Sequence, residues 1–357
     1  SVVVDVSGFI GGDVSLGDGD NVLANSGSIA GNAVFGSGAD VVQIDAGARV
    51  DGNVDLGDGN DMMANAGVIG GNVLLGGGDD LMENAEGATI AGDVDLGSGT
   101  DGFNNLGVVS GSVLGGVGAN QIVNDGAIHG GVSFDNGDDL VANSYRGTIG
   151  GDVSLGDGDN TVANSGVISG GVIGGSGKDR AVNTTGAMIH GAVDLGDGEN
   201  ELSNDGTILG GVRTGSGNDT VANGFIAAIA GDVDLGDGDN TLTNEGTITG
   251  KVVAGSGADV IENRLEATIG GGVVLGDGDN VLTNAGTISG RVIGGAGSDT
   301  ITNSGALHSV ALGDGNDAVT NEAGARIDGD VDLGDGDNVL VVEAGSSIAG
   351  SAVAGSG

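Results

Sequence analysis

A six-residue punctuation recurs along the whole chain. Leu235-Gly236-Asp237-Gly238-Asp239-Asn240 has near copies at 16–21, 155–160, 275–280 and 333–338, and looser ones at 35–40, 214–219 and 294–299. The shared pattern is Gly-x-Gly-x-(Asp/Asn), with an apolar residue two places further on. With the first Gly as marker, copies start at 17, 36, 57, 76, 97, 116, 156, 175, 196, 215, 236, 255, 276, 295, 313, 334 and 355, and Asp135 fills the one slot without Gly. Successive markers are mostly 19 and 21 residues apart, in alternation. A period this short describes stacked laps, because one repeat cannot bury its own apolar face and must use its neighbours.

Inside a lap the pattern has period two. Leu242, Asn244, Gly246, Ile248, Gly250 and Val252 alternate with polar or variable residues, and Val233 and Leu235 alternate with Asp232 and Asp234. Alternation of this kind makes strands with one buried face. The chain has 82 Gly and no Pro. Gly serves tight turns with positive φ, and the lack of Pro leaves every ladder its full set of donors. The expected fold is all-β: a parallel β-solenoid (β-helix or β-roll) of about 18 coils of 19–21 residues, running over 1–357 as a single continuous domain. Neither end carries a recognisable cap, so the stretch reads as part of a longer array. The spacing alone leaves open whether 20 or 40 residues complete one geometric lap.

Two columns emerge when the laps are aligned. The sixth place after the marker is apolar (Leu23, Val42, Met63 and onward to Leu340), with Ala181 the small exception. The eighth place is Asn from Asn25 to Asn321, broken by Ile44 and Val342. Stacked amides can bond along the axis, so the Asn column reads as scaffold. The longer laps add two residues just after it, as at Tyr145-Arg146, Phe225-Ile226 and Leu265-Glu266. That bulged edge either caps the core or offers a docking strip.

The formal net charge is −42. It disfavours nucleic acid and anionic membrane as partners and invites cations. No apolar run approaches the ~20 residues of a membrane span. There is no Cys for disulfides or thiolate metal sites. Turns in register gather Asp18, Asp58, Asp157, Asp197, Asp237, Asp277, Asp314 and Asp335 at the first place after the marker. At the fourth place they gather Asp40, Asp61, Asp80, Asp101, Asp139, Asp179, Asp219, Asp259, Asp299 and Asp317. With laps ~4.8 Å apart, neighbouring like charges cost about 1 kcal/mol in water and several at an effective dielectric near 20. Several Ca²⁺ ions between successive turns would neutralise this edge, since carboxylate and Gly carbonyl oxygens are the ligands that calcium takes. All eighteen aspartates are candidate ligands.

Gly215-Ser216-Gly217-Asn218-Asp219-Thr220-Val221 and Gly174-Gly175-Ser176-Gly177-Lys178-Asp179-Arg180-Ala181 resemble the Gly-Gly-x-Gly-x-Asp-x-apolar-x repeat of RTX (hemolysin-type) proteins. The resemblance covers essentially the whole chain and implies Ca²⁺ held between turns and secretion from a Gram-negative cell. The usual RTX period is shorter, with turns on both edges. The single turn per lap here is closer to the RTX solenoids of giant bacterial ice-binding adhesins. The Asn column and the Asn-x-Gly-x-Ile-x-Gly run also resemble passenger regions of autotransporter adhesins. Two departures stand out: many turns end in Asn, and the outward Thr and Asn ranks of an ice-binding face are not evident.

Catalytic patterns fail. No helix-forming segment follows Gly236-x-Gly238, so no dinucleotide fingerprint is present. The Asp-rich turns lack the Gly and distant Glu of an EF-hand. His129, His190 and His308 fall on different laps without metal spacing, and the sparse basic residues form no lyase group. The expectation is a non-enzymatic, secreted or cell-surface bacterial repeat region. It would be an adhesin shaft, surface-layer or fibre subunit rigidified by Ca²⁺, and able to self-associate end to end or side by side into filaments. The alternative is an adhesive module that grips a cell-surface or glycan ligand with its bulged edge. Ice-binding and polysaccharide-acting β-helices are minor alternatives.

Overall fold

The computed structural model describes residues 3–357. The chain divides at Gly175/Ser176 into two compact units. Both are parallel β-solenoids, and no helix occurs among the described residues.

In the first unit each lap carries three short strands, for example Leu140–Asn143, Thr148–Ile149 and Val153–Ser154. Leu140 stands opposite Gln121 on one side and Thr161 on the other. One lap is therefore one copy of the ~20-residue repeat, not two, and the alternating step lengths seen in sequence are its register. Val141, Ile149, Val153 and Leu155 of such a lap are fully buried. Burying an aliphatic side chain of this size contributes roughly 1.5–3 kcal/mol, so each lap holds to the next mainly through its interior rows. The row just before the marker varies in size by compensation: a Cβ on Gly115 would lie 2.0 Å from the Phe134 ring, which fills the space Gly115 leaves.

The second unit repeats the plan with Thr241–Asn244, Thr247–Ile248 and Val252–Val253. Thr241 pairs with Thr220 and Val260. Leu235, Leu242, Ile248 and Val252 are its buried set. One lap is a residue short, with Thr300 opposite Ala318, and an irregularity between Ile288 and Arg291 accompanies it.

The Asn column forms a ladder in each unit. In the first, Nδ2 of Asn65, Asn84, Asn105 and Asn124 donates at 2.8 Å to Oδ1 of the Asn one lap on. In the second, Asn183, Asn204 and Asn223 do the same at 2.8 Å. Ile44 interrupts the file and is itself buried. The amides are satisfied inside the core, as buried amides must be.

The marker glycines are required by contact. Gly236 has φ 78° and Gly238 φ 123°, and a Cβ on Gly236 would meet the Gly215 carbonyl oxygen at 1.7 Å. At the bulged corner a four-residue turn closes each long lap, as where Ala267 N–H donates to Arg264 O at 3.1 Å. Gly47, Gly87 and Gly186 occupy the third turn position with φ near 84°. Glu266 holds that position with φ 69°, the one non-Gly residue with positive φ among those described. A left-handed conformation costs an L residue roughly 1–2 kcal/mol. Glu266→Gly is therefore expected to raise the thermal midpoint slightly, read by circular dichroism. An unchanged or lower midpoint would show that this turn carries no strain.

Candidate metal-binding turns

The structure brings all eighteen candidate aspartates to one corner of their laps, in two files that face opposite ways. Asp18, Asp58, Asp157, Asp197, Asp237, Asp277, Asp314 and Asp335 are exposed. Asp40, Asp61, Asp80, Asp101, Asp139, Asp179, Asp219, Asp259, Asp299 and Asp317 are 0–2 % exposed. The fourth place leads straight into the strand and shares its buried face, two residues before the sixth-place column. The first place lies across turn glycines with positive φ, such as Gly238 at 123°, and stands outside although Leu235, two residues earlier, is buried. A single interleaved file of carboxylates does not form. Among the described residues no group of three or more His, Asp or Glu side chains gathers as a metal cluster.

The outer carboxylates are employed and solvated. Oδ1 of Asp18, Asp277 and Asp335 accepts N–H from Ser37, Ala296 and Ser356 of the next lap at 3.1, 2.9 and 2.7 Å. Asp197 and Asp237 accept hydroxyls from Ser216 and Ser256 at 2.7 and 2.6 Å. Asp237 lies between Ser216 and Ser256, which dilutes the charge there, whereas Asp314 and Asp335 stand side by side.

The inner file behaves differently. From Asp40 to Asn160 and from Asn200 to Asn338, each fourth-place side chain, Asp or Asn, uses Oδ1 to accept the backbone N–H of the fourth-place residue one lap earlier. In the first unit Asn21, Asp40 and Asp61 donate to Asp40, Asp61 and Asp80 at 2.7 Å. In the second, Asn200 donates to Asp219 at 2.7 Å and Asp219 to Asn240 at 2.9 Å. With Oδ1 engaged alike on these laps, the second branch atom is directed alike as well. Where the residue is Asn, that atom is Nδ2, and it donates to carbonyl oxygens of its own turn. Asn120 reaches Gly118 O, Asn160 reaches Gly158 O and Asn240 reaches Gly238 O, each at 3.0 Å. Asn200 reaches Gly196 O of its own turn and Thr214 O one lap on, both at 3.0 Å.

Where the residue is Asp, the second atom is Oδ2, an acceptor placed where an amide donor is needed. In Asp40, Asp61, Asp80, Asp101, Asp139, Asp219, Asp259, Asp299 and Asp317, Oδ2 is buried and meets no donor. Burial pushes the carboxyls of Asp61, Asp101, Asp139 and Asp259 up to about 6, against an ordinary value of 3.8. Burial likewise raises those of Asp40, Asp80, Asp219, Asp299 and Asp317. Backbone N–H donation to Oδ1 opposes the shift and does not cancel it. In the run Asp40, Asp61, Asp80 and Asp101 the charge of neighbouring aspartates adds to it. An unpaired buried carboxylate oxygen is a ligand of the kind that hard divalent cations take, and the inner file supplies nine of them among the described residues.

The remaining candidates lie elsewhere on the surface. Tyr145 and Phe225 are 84 % and 64 % exposed, so the bulged edge does not use them to cap the core. Phe225 and Leu265 border a groove that Glu262, Arg264 and Thr283 also line. His129, His190 and His308 are exposed. Outward threonines do align in the second unit, contrary to the sequence expectation, but over short runs: Thr247, Thr268 and Thr287 in one file, Thr283, Thr302 and Thr320 in another.

No protein-family model and no curated protein matches the chain. One solved structure is similar, the X-ray crystal structure of a hyperactive, Ca²⁺-dependent, β-helical antifreeze protein from an Antarctic bacterium. The two share 24 % identity over 84 % of each chain, with a TM-score of 0.48. At that level the likeness carries no argument about ligands or activity.

Proposed function

We propose that this chain is a structural, non-enzymatic repeat region of a secreted or cell-surface bacterial protein, an adhesin shaft or fibre element rigidified by calcium. The observation that supports the reading is the orphaned Oδ2 of Asp40, Asp61, Asp80, Asp101, Asp139, Asp219, Asp259, Asp299 and Asp317. Without a cation the interior of each unit holds acids that nothing neutralises, and an unpaired buried charge is strongly unfavourable. With calcium, Asp40, Asp61, Asp80, Asp101, Asp139, Asp179, Asp219, Asp259, Asp299 and Asp317, together with the glycine carbonyls of their turns, would hold it. A bound ion supplies the positive charge that these oxygens lack. The outer eight aspartates would keep solubility instead, and Asp18, Asp277 and Asp335 also accept N–H groups of the next lap.

Dependence on calcium also suits the location. Extracellular calcium modules work at dissociation constants of about 10⁻⁴–10⁻³ M, so such a stack stiffens where calcium is plentiful. The RTX-like turn sequence agrees with this reading, and the strand columns within each unit agree with a load-bearing shaft. A second reading, a ligand- or glycan-binding edge, has the Phe225–Leu265 groove in its favour.

Equilibrium dialysis against calcium chloride, followed by elemental analysis, tests the proposal. Several calcium ions per folded chain are expected, and no more than the ten inner aspartates allow. A folded chain that binds none at millimolar calcium would overturn it.

A further inference from the structure

We infer that the inner turn residue decides lap by lap whether an ion binds: Asp laps take a cation, whereas on Asn laps the amide Nδ2 already occupies the cation's role. The inference rests on the calcium reading above and adds a rule to it. The side chains of the two residue types have the same shape and the same Oδ1 contact. Asn240 Oδ1 accepts the Asp219 N–H at 2.9 Å, as Asp219 Oδ1 accepts that of Asn200 at 2.7 Å. They differ only in the atom turned to the glycine carbonyls. A donor there (Asn240 Nδ2 to Gly238 O, 3.0 Å) satisfies the oxygens from within. An acceptor there (Asp219 Oδ2) leaves both sides wanting positive charge.

The Asn amides also serve their neighbours. Asn280 Nδ2 donates to Gly278 O at 3.1 Å and to Asp299 Oδ1 of the next lap at 3.0 Å. An Asn lap between two Asp laps thus separates the ions and partly neutralises the acid beside it. The two units use this differently. In the second, Asn and Asp alternate from Asn200 to Asp299, so ions stand on every other lap. In the first, Asp40, Asp61, Asp80 and Asp101 follow one another without an Asn, so ions must stand on consecutive laps. The pattern of Asp and Asn is then a written loading pattern along the stack, and either residue converts into the other's function by a single exchange.

Two exchanges in the full chain test this, read by bound calcium per chain and by thermal melting in EDTA. Asp219→Asn is expected to bind one ion fewer than the parent and to melt higher in EDTA, because an orphaned acid has been replaced by a donor. Asn240→Asp is expected to bind one ion more, to melt lower in EDTA and to recover when calcium chloride is added. If Asn240→Asp fails to fold, Asp219→Asn still decides. Variants that bind the parent's number of ions would overturn the inference while leaving the calcium reading intact, as would an Asp219→Asn chain that melts lower in EDTA. A parent that binds no calcium would instead defeat the earlier reading.

Discussion

Asn124→Asp is expected to be among the most damaging single exchanges in the chain. Asn124 is fully buried. Its Oδ1 accepts from Asn105 Nδ2 at 2.8 Å, and its own Nδ2 donates to Asn143 Oδ1 at 2.8 Å and to Thr148 O at 3.2 Å. Aspartate keeps the first contact and inverts the other two, since an acceptor then faces two acceptors. A buried ion without a partner costs roughly 3–5 kcal/mol. Asn124→Ala removes the same donor without adding charge, so its cost stays nearer the ~1–3 kcal/mol of an unsatisfied buried polar group. The expected order of midpoints in neutral EDTA buffer is parent, then Asn124→Ala, then Asn124→Asp well below both. Acid should narrow the gap for Asn124→Asp, because a protonated carboxyl regains a donor. An Asn124→Asp chain that melts with the parent at neutral pH would show that the ladder is not a sealed amide file.

The ladder could be read from sequence because Asn at the eighth place shares its parity with the apolar residue at the sixth. The same rule held the key to the turns. The fourth place, where Asp219 and Asn240 stand, is an even distance from both columns, so it lies on the buried face. The first place, where Asp237 stands, lies outside because the turn glycines break the alternation, which is why the equally odd Leu235 can be buried. Treating the whole turn as surface concealed this, since a loop of Gly and Asp looks solvated by composition. The repeat length was equally legible, but the strand register was needed to show that each copy closes one lap. Other features depend on three-dimensional neighbours that no single repeat specifies. Phe134 completes the core only because Gly115, one lap earlier, leaves room. The threonine files escaped notice because they use outward places of strands beyond the turn, such as Thr247 and Thr283, whereas the places before it carry Asp, Ser or Val. Chemical roles were the least legible part. Asp and Asn at the fourth place look like conservative variants in sequence, and only the carbonyls around their second branch atom make them opposites.

Acidification should stabilise the metal-free protein, against the usual behaviour of acidic chains. The inner carboxyls are raised in the folded state, to about 6 for Asp61, Asp101, Asp139 and Asp259, while an unfolded chain holds them near 3.8. Between those limits the folded state binds more protons than the unfolded one, so stability rises as pH falls. The contribution is complete below the unfolded value and is lost as pH climbs through about 6. The cause is local: protonation turns Oδ2 into a donor that can meet the turn carbonyls, as Nδ2 does on an Asn lap. In EDTA, the midpoint is expected to climb by several degrees from pH 7 to pH 4.5. In saturating calcium chloride the same titration should lower the midpoint, because protons then compete with the ions for the same oxygens. The two curves should approach each other in acid and separate at neutral pH. Metal-free protein whose midpoint falls steadily over that range would mean that the inner acids are already neutralised by something other than protons or calcium.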